Sequence, residues 1–300
     1  MLTWLLVIIL AYFFFSMGSL GDKIILSGSP KPASYTFFVG ILSAFVVLII
    51  PFTGVKFLSG ALLVFGALAA ISYVIGLYAM FCAVEKFDVS KVMTTIGATQ
   101  PIFIFILSWI FWGAEIMSKI NILAFILLLA GSVLISFQKS QKATGKYFQI
   151  TIFASLMFSL NFIFQKNVFL GASFWQGIVC TGMFTFLFSL FFLFRNKFRE
   201  EIFEKKGILS KKNGTIFICS QTSGSLASML QSFAIYLSPV AFLPVLNSLR
   251  GLQYVFLFLI VLFFSVFFPR ILKEEISRKV IFQKIISITL IAIGLALLVL

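Results

Sequence analysis

The sequence predicts an all-α integral membrane protein of about ten transmembrane helices, arranged as two inverted five-helix repeats. Its composition, the spacing of its apolar segments and the similarity of its two halves support this prediction. Of the 300 residues, 61% are hydrophobic and 11% are charged, and the mean hydropathy is +1.14. Soluble domains are near a quarter charged because water must wet their surfaces, so the solvent of this chain is lipid.

A bilayer core about 30 Å thick needs roughly 20 apolar residues in a helix. The sequence supplies ten such segments, and a run such as "NILAFILLLAGSVLI" from Asn121 shows no strand-like alternation. The first segment lacks a preceding basic residue and a small-residue cleavage site, so we expect it to remain in the mature protein. The predicted spans are residues 4–20, 33–51, 58–84, 92–112, 120–137, 148–168, 173–194, 214–237, 241–268 and 280–300.

The two halves of the chain resemble each other. The segments "AYFFFSMGSLGDK" from Ala11 and "ASLMFSLNFIFQK" from Ala154 match in Ala, Ser and Lys at a constant offset of 143. Further matches pair Ala83 with Ala234 and Gly131 with Gly294. Five spans therefore repeat once, and because five is odd the second copy enters the membrane from the opposite side. We predict one repeat over residues 1–140 and the other over 145–300, within one membrane domain.

The basic residues are distributed unequally between the two membrane faces. Nineteen of the 23 Lys and Arg residues lie in or beside the connections after odd-numbered spans, which we call the basic face. The opposite, neutral face holds only Lys56, Lys119 and Lys166, and Arg250 lies within a span. Because cytoplasmic loops are enriched in Lys and Arg, we predict that the basic face is cytoplasmic and that both termini are outside. The basic residues form no single patch, so no nucleic acid is expected as a partner.

The sequence resembles the drug/metabolite transporter superfamily, specifically its ten-helix EamA-type members. The resemblance is carried by Pro101, by Glu115 in "WGAEIM", by "AFILLLAGSVLI" in span 5, and by Glu274 or Glu275 before the last span. It implies a carrier that moves small organic solutes by alternating access. The sequence departs from the family in one respect, because members usually place both termini in the cytoplasm.

Arg250, about ten residues into span 9, is the foremost candidate for a functional residue. An unpaired guanidinium at that depth costs at least roughly 2.5 to 3.5 kcal/mol, so it should face a wet cavity or a partner. Inverted-repeat carriers bind substrate near the membrane midplane, and the planar donors of Arg suit an anionic group. The structural alternative is a contact with backbone carbonyls, or a position near the interface.

Other polar residues in the spans extend this candidate site. Asn247, Arg250 and Tyr254 are spaced to share a helix face. The full set of predicted substrate-binding residues is Arg250, Asn247, Gln253, Tyr254, Gln100, Thr95, Tyr73, Tyr78 and Gln221. Polar residues in membrane helices also hold helices together, which is the alternative for each. Asp22, Lys23 and Glu85 are predicted to form a charged gate, with solvation at the interface as the alternative.

The residue inventory argues against catalysis. The chain has no His, and its three Cys lie apart in apolar stretches, so we predict no catalytic residue, no metal, no cofactor and no enzymatic activity. We predict a transporter of small organic solutes in a bacterial inner membrane, with an amino acid or related anionic metabolite as substrate and export as the direction. The alternatives are a carrier or flippase of phosphorylated sugars or lipid-linked phosphates, and a non-transporting sensor or assembly subunit. Membrane lipids surround the protein, and we expect a monomer or a homodimer.

Overall fold

The structure, a computed structural model, describes residues 3–26, 31–55, 57–87, 89–113, 118–136, 145–203, 211–267 and 278–299. All regular secondary structure in these ranges is helical. Ten helical segments correspond in order to the predicted spans and are called spans 1 to 10. They are Thr3–Leu26, Pro32–Thr53, Gly60–Lys86, Val89–Trp112, Lys119–Ser136, Gly145–Gly171, Phe174–Phe194, Lys211–Leu237, 240–267 and Arg278–Val299. The predicted all-α membrane fold is confirmed.

Three of the spans are not simple α-helices. Spans 2 and 7, which are repeat counterparts, change to 3₁₀ geometry over Ser43–Ile49 and Phe191–Phe194. Span 9 consists of the 3₁₀ turn Val240–Phe242 followed by two helices, Leu243–Ser248 and Gly251–Phe267. A short helix, Asn196–Ile202, follows span 7 and buries Ile202 against the protein.

Within the described residues, seven helices are long and apolar enough to cross a membrane. Spans 1 and 5 contribute the shorter apolar helices Thr3–Ser19 and Lys119–Ile135. Span 8 has sufficient length at 27 residues but is more polar. Its serines have partners in span 1, because Ser220 Oγ donates to the Gly18 carbonyl at 2.8 Å. The polarity of span 8 therefore reflects helix–helix contact, as is common between membrane helices.

The packing of the spans follows an approximate two-fold relation. Span 1 packs most extensively on span 8, and its counterpart, span 6, packs most extensively on span 3. Spans 5 and 10, 4 and 9, and 2 and 7 pack as pairs of counterparts. An exchange of each span with the one five positions later thus preserves these contacts, as the inverted-repeat prediction requires. Among the described residues, the contacts of span 3 with span 7 and of span 5 with span 9 have no comparable counterpart.

Individual contacts obey the same relation. Asn161 Nδ2 donates to the Ala69 carbonyl at 2.9 Å between spans 6 and 3. The offset of 143 carries Gly18 to Asn161, and the offset of 151 that relates Ala83 to Ala234 carries Ala69 to Ser220. The bond between Ser220 and Gly18 therefore joins the counterpart positions, with donor and acceptor exchanged. The predicted boundary at residue 140 lies outside the described residues and stays a prediction.

Spans 5 and 10 make a reciprocal close approach through two glycines. A Cβ atom built on Gly131 would lie 2.7 Å from Ile291, and one built on Gly294 would lie 2.8 Å from Leu128. Ile291 and Leu128 are themselves separated by the same offset as the two glycines. Each glycine thus leaves room for a bulky side chain of the other span, and the two contacts are related by the repeat.

We predict that Gly131→Ala destabilises the protein by about 1 to 3 kcal/mol, because the added methyl group overlaps Ile291 and approaches the Ser287 carbonyl. Gly224→Ala is the matched control, since a Cβ there meets nothing within 4 Å and the change adds helix propensity of about 0.5 to 1 kcal/mol. Thermal unfolding of the purified variants in detergent measures both effects. An equal change at the two positions would contradict the close approach of spans 5 and 10.

Candidate substrate-binding site

The site is built around an interruption of span 9 at residues 249 and 250. In a regular helix the Arg250 amide would donate to the Leu246 carbonyl. It donates instead to the Asn247 carbonyl, three residues back, at 3.1 Å. The Leu246 carbonyl is taken up by the buried Tyr12 hydroxyl of span 1, which donates to it at 3.0 Å.

A second carbonyl is released by the same interruption. The Leu252 amide donates to Leu249, three residues back, at 2.9 Å, which leaves the Ser248 carbonyl without its helical donor. Ser132 Oγ of span 5 donates to that carbonyl at 2.6 Å. Because lipid offers no hydrogen bonds, the break is stable only with such partners from neighbouring spans.

Span 4, the counterpart of span 9, is a continuous helix that contains a proline. Pro101 lies inside its helix and has no amide to donate to the Gly97 carbonyl. The adjacent Gln100 carbonyl accepts a bond from Ser159 Oγ of span 6 at 3.2 Å. A Cβ on Gly97 would lie 3.3 Å from the Tyr254 hydroxyl, so spans 4 and 9 approach closely here.

Arg250 reaches across this crossing to Gln100. Its NH1 group donates to Gln100 Oε1 at 2.8 Å, and Gln100 is almost fully buried. Among the described residues, the partner of the guanidinium is therefore a neutral amide and not a carboxylate. No carboxylate in the described part of the chain pairs with this charge, and a guanidinium has five N–H donors, of which this bond uses one.

Two further side chains of span 9, those of Gln253 and Tyr254, form hydrogen bonds with different neighbouring spans. Gln253 Nε2 donates to Ser19 Oγ of span 1 at 2.8 Å. Tyr254 donates its hydroxyl proton to the Met93 carbonyl of span 4 at 3.3 Å. Tyr254 thus lies on the Arg250 side of the helix, whereas Gln253 ties span 9 to span 1.

Asn247 lies one turn before Arg250 and is 1% exposed. Its Oδ1 atom is buried and has no hydrogen-bond partner among the described residues. Buried acceptors are almost always satisfied in native proteins, so this oxygen is an open position for a donor. It is the one predicted site residue whose buried acceptor is left open in the described structure.

Two predicted site residues have other polar partners. Gln221 of span 8 donates through Nε2 to the Tyr35 hydroxyl of span 2 at 3.0 Å. The Thr95 carbonyl accepts the hydroxyl of Thr99 within span 4 at 2.8 Å. Gln221 therefore joins two spans on the basic-face side of the crossing.

The two tyrosines of span 3 lie in aromatic surroundings. Tyr73 packs on Phe158 of span 6 with ring centroids 6.2 Å apart. Tyr78 contacts Phe192 and Phe198 with centroids 5.4 Å and 5.7 Å away, so it supports the short helix after span 7. The structure does not bring Tyr78 together with Arg250.

The predicted gate is only partly described. Glu85 is exposed at the end of span 3. The side chains of Asp22 and Lys23 lie outside the described residues. The same is true of Glu115, Glu274 and Glu275, which carried part of the family resemblance.

Sequence reasoning missed two residues that support the site, and it also missed the burial of Lys166. Tyr12 and Ser132, which hold the interrupted span 9, lie in runs that read as ordinary apolar helix. Lys166 was counted on the neutral face, yet it lies inside span 6 and is 3% exposed. Its alignment with Lys23 in the repeat was the one signal that singled it out.

A separate cavity of about 110 Å³ lies between the start of span 3 and span 7. Its lining is apolar apart from Gln176 and includes Phe57, Leu63 and Phe184. Arg250 does not line it. The cavity therefore offers no group that would bind an anion.

An all-helical membrane fold with two inverted repeats, in which an interrupted span carries a partly buried cation, is characteristic of secondary carriers. The model of the EamA-like transporter family matches residues 2–137. The first half of the chain is therefore similar to this family of the drug/metabolite transporter superfamily, whose members transport small solutes and are not enzymes.

Two further comparisons bear on the fold. A crystal structure of a protein is similar to this chain with a TM-score of 0.70 at 14% sequence identity, over 97% of this chain and 94% of that one. At this identity the likeness shows the fold alone. No curated protein matches the sequence.

We predict that Asn247→Leu leaves the free energy of unfolding unchanged or raises it, because it removes a buried acceptor that has no partner. Gln253→Leu should lower it by about 1 kcal/mol, because it breaks the bond to Ser19. Thermal unfolding in lipid nanodiscs measures the difference. A marked loss of stability in Asn247→Leu would mean that Oδ1 has a partner in the folded protein.

Proposed function

We propose that this transporter moves a small organic anion, with an amino acid or a related carboxylate as the substrate class. The observation that carries the proposal is the bond between Arg250 and Gln100 at the crossing of spans 4 and 9. Gln100 Oε1 is a neutral acceptor that occupies one donor of the guanidinium. A carboxylate oxygen makes a shorter and stronger bond to the same donor, so a solute can displace it.

The uncompensated charge also sets the preference among solutes. A partly buried cation without a carboxylate partner attracts anions and repels cationic drugs. Asn247 Oδ1 lies one turn away and can accept a hydrogen bond from a donor group of the same solute. Both features favour a solute with an anionic group beside an N–H or O–H group.

Alternating access follows from the inverted repeats, which exchange their conformations when the site changes face. Export and a bacterial inner membrane rest on the family resemblance. A phosphorylated sugar would satisfy Arg250 as well, and a chain that senses a solute without transport would also bind at this position. Transport measurements on a panel of solutes separate these candidates.

We predict that Arg250→Ala lowers affinity for an anionic solute by at least roughly 30-fold, the loss expected when a buried charged partner is removed. Arg250→Lys should retain part of the affinity. The measurements are uptake into proteoliposomes and ligand-induced shifts in melting temperature, with neutral amino acids, dicarboxylates, hexose phosphates and a cationic amine as solutes. Normal transport by both variants would make Arg250 structural.

Gln100→Glu tests the same site without removal of Arg250. The new carboxylate pairs with the guanidinium and should reduce anion affinity to a similar degree while it preserves the fold. Gln176→Glu adds the same charge at the start of span 7, where Gln176 belongs to a helix cap that Glu also satisfies. Anion transport should persist in this control, and equal losses in both variants would point to net charge alone.

We predict that the basic face is cytoplasmic and that the C-terminus after Leu300 is outside. Reporter fusions after Leu300 test this, since alkaline phosphatase is active only outside and a fluorescent protein only inside. Activity of the cytoplasmic reporter alone would place the basic connections outside and restore the orientation usual in the family.

A further inference from the structure

Lys166 has a buried charge that the solute site does not use. It lies near the end of span 6, five residues before Gly171, on the neutral-face side of the bilayer. Its Nζ donates to the carbonyls of Ile235, Tyr236 and Ser238 at 2.9, 3.4 and 2.5 Å. These carbonyls belong to the last turn of span 8 and the residue after it.

The three bonds match the chemistry of both partners. The last four carbonyls of a helix lack intrahelical donors, and Pro239, which follows, cannot supply an amide. The helix C-terminus is also the negative end of the dipole, where a cation is stabilised. An ammonium group has three donors, so these carbonyls satisfy Lys166 completely.

This contact bridges two separate pairs of helices. Span 6 packs mainly on span 3 and span 8 mainly on span 1, so Lys166 joins the 3/6 pair to the 1/8 pair. Gln165 Nε2 adds a bond to Ser232 Oγ at 3.0 Å, and the Phe169 ring lies 5.6 Å from Tyr236. Together these contacts close the neutral-face end of the junction between the two pairs.

The contact between spans 6 and 8 can be compared with its counterpart in the other repeat. Spans 6 and 8 pack against each other, whereas in the described residues their counterparts, spans 1 and 3, have at most marginal contact. Alternating access moves one helix bundle against another around a fixed site. A contact that joins the two pairs at the neutral face has to be lost before a path between them can open there.

We propose that Lys166 is a latch of the neutral face: its ammonium holds the end of span 8 against span 6 and leaves these carbonyls each time this face opens. A residue with a purely structural role would keep its three bonds throughout the transport cycle. The latch operates whichever solute is carried, so its test does not depend on the anion hypothesis.

Distance measurement between the two span ends tests the latch. Spin labels are placed on Leu170→Cys and Leu237→Cys, two exposed positions at the ends of spans 6 and 8, after the three natural cysteines have been replaced. In lipid, Lys166→Gln should raise the fraction of molecules with the longer separation roughly ten-fold, as expected from the loss of a charged hydrogen bond. Lys166→Arg keeps donors for the carbonyls and should stay close to the parent.

Lys23→Gln is the matched control, because Lys23 is the counterpart of Lys166 in the other repeat. It should not increase the longer separation at this face. An unchanged distribution in Lys166→Gln, or an equal increase in Lys23→Gln, would overturn the latch.

A second measurement uses the unmodified chain and so does not depend on how the variants fold. A membrane-impermeant amine reagent is applied to the neutral face, and mass spectrometry follows Lys166 and the exposed Lys119 of the same face. Lys166 should react, but much more slowly than Lys119, because it is exposed only when the face opens. A complete lack of reaction at Lys166, or a rate equal to that of Lys119, would each contradict the proposal.

Discussion

The interruption of span 9 is the constraint on which the site depends. In lipid a released carbonyl finds no water, so each must receive a donor from another span. Tyr12 and Ser132 supply these donors and thereby fix spans 1 and 5 around the break. The break places Arg250 between the two helices of span 9, where its side chain can cross to Gln100. The position of the cation is thus set by backbone hydrogen bonding and not by an ion pair.

Polar contacts also determine how the helices pack. Lipid tails are as apolar as Leu, so burial of apolar surface gives little preference for one helix pairing over another. Small residues and short polar side chains supply the preference, as Ser220 with Gly18 and Asn161 with Ala69 illustrate. These two bonds are related by the repeat, which explains why a weak sequence similarity corresponds to a well-defined symmetry of packing.

The sequence was sufficient for the elements that depend on composition and periodicity. The number of spans, the inverted repeat and the position of Arg250 within a span follow from local patterns. The interruption did not, because it depends on Tyr12, which lies 234 residues before its acceptor Leu246. A regular helix was assumed across residues 249 and 250, so the different partners of Gln253 and Arg250 could not be foreseen. Lys166 was read as a loop charge because its three acceptors are backbone atoms, which have no sequence signature.

Within the described residues, Lys166 and Arg250 differ in how fully their donors are used, and this difference separates their roles. Lys166 has three donors and three carbonyl acceptors, so no donor remains for a solute. Arg250 has one side-chain acceptor, Gln100, for a group with five donors. Asn247 beside it has a buried acceptor without a donor. A solute can therefore complete the hydrogen bonding at Arg250 and Asn247, so this position suits binding. At Lys166 the carbonyls at the end of span 8 already use every donor, so this position suits closure.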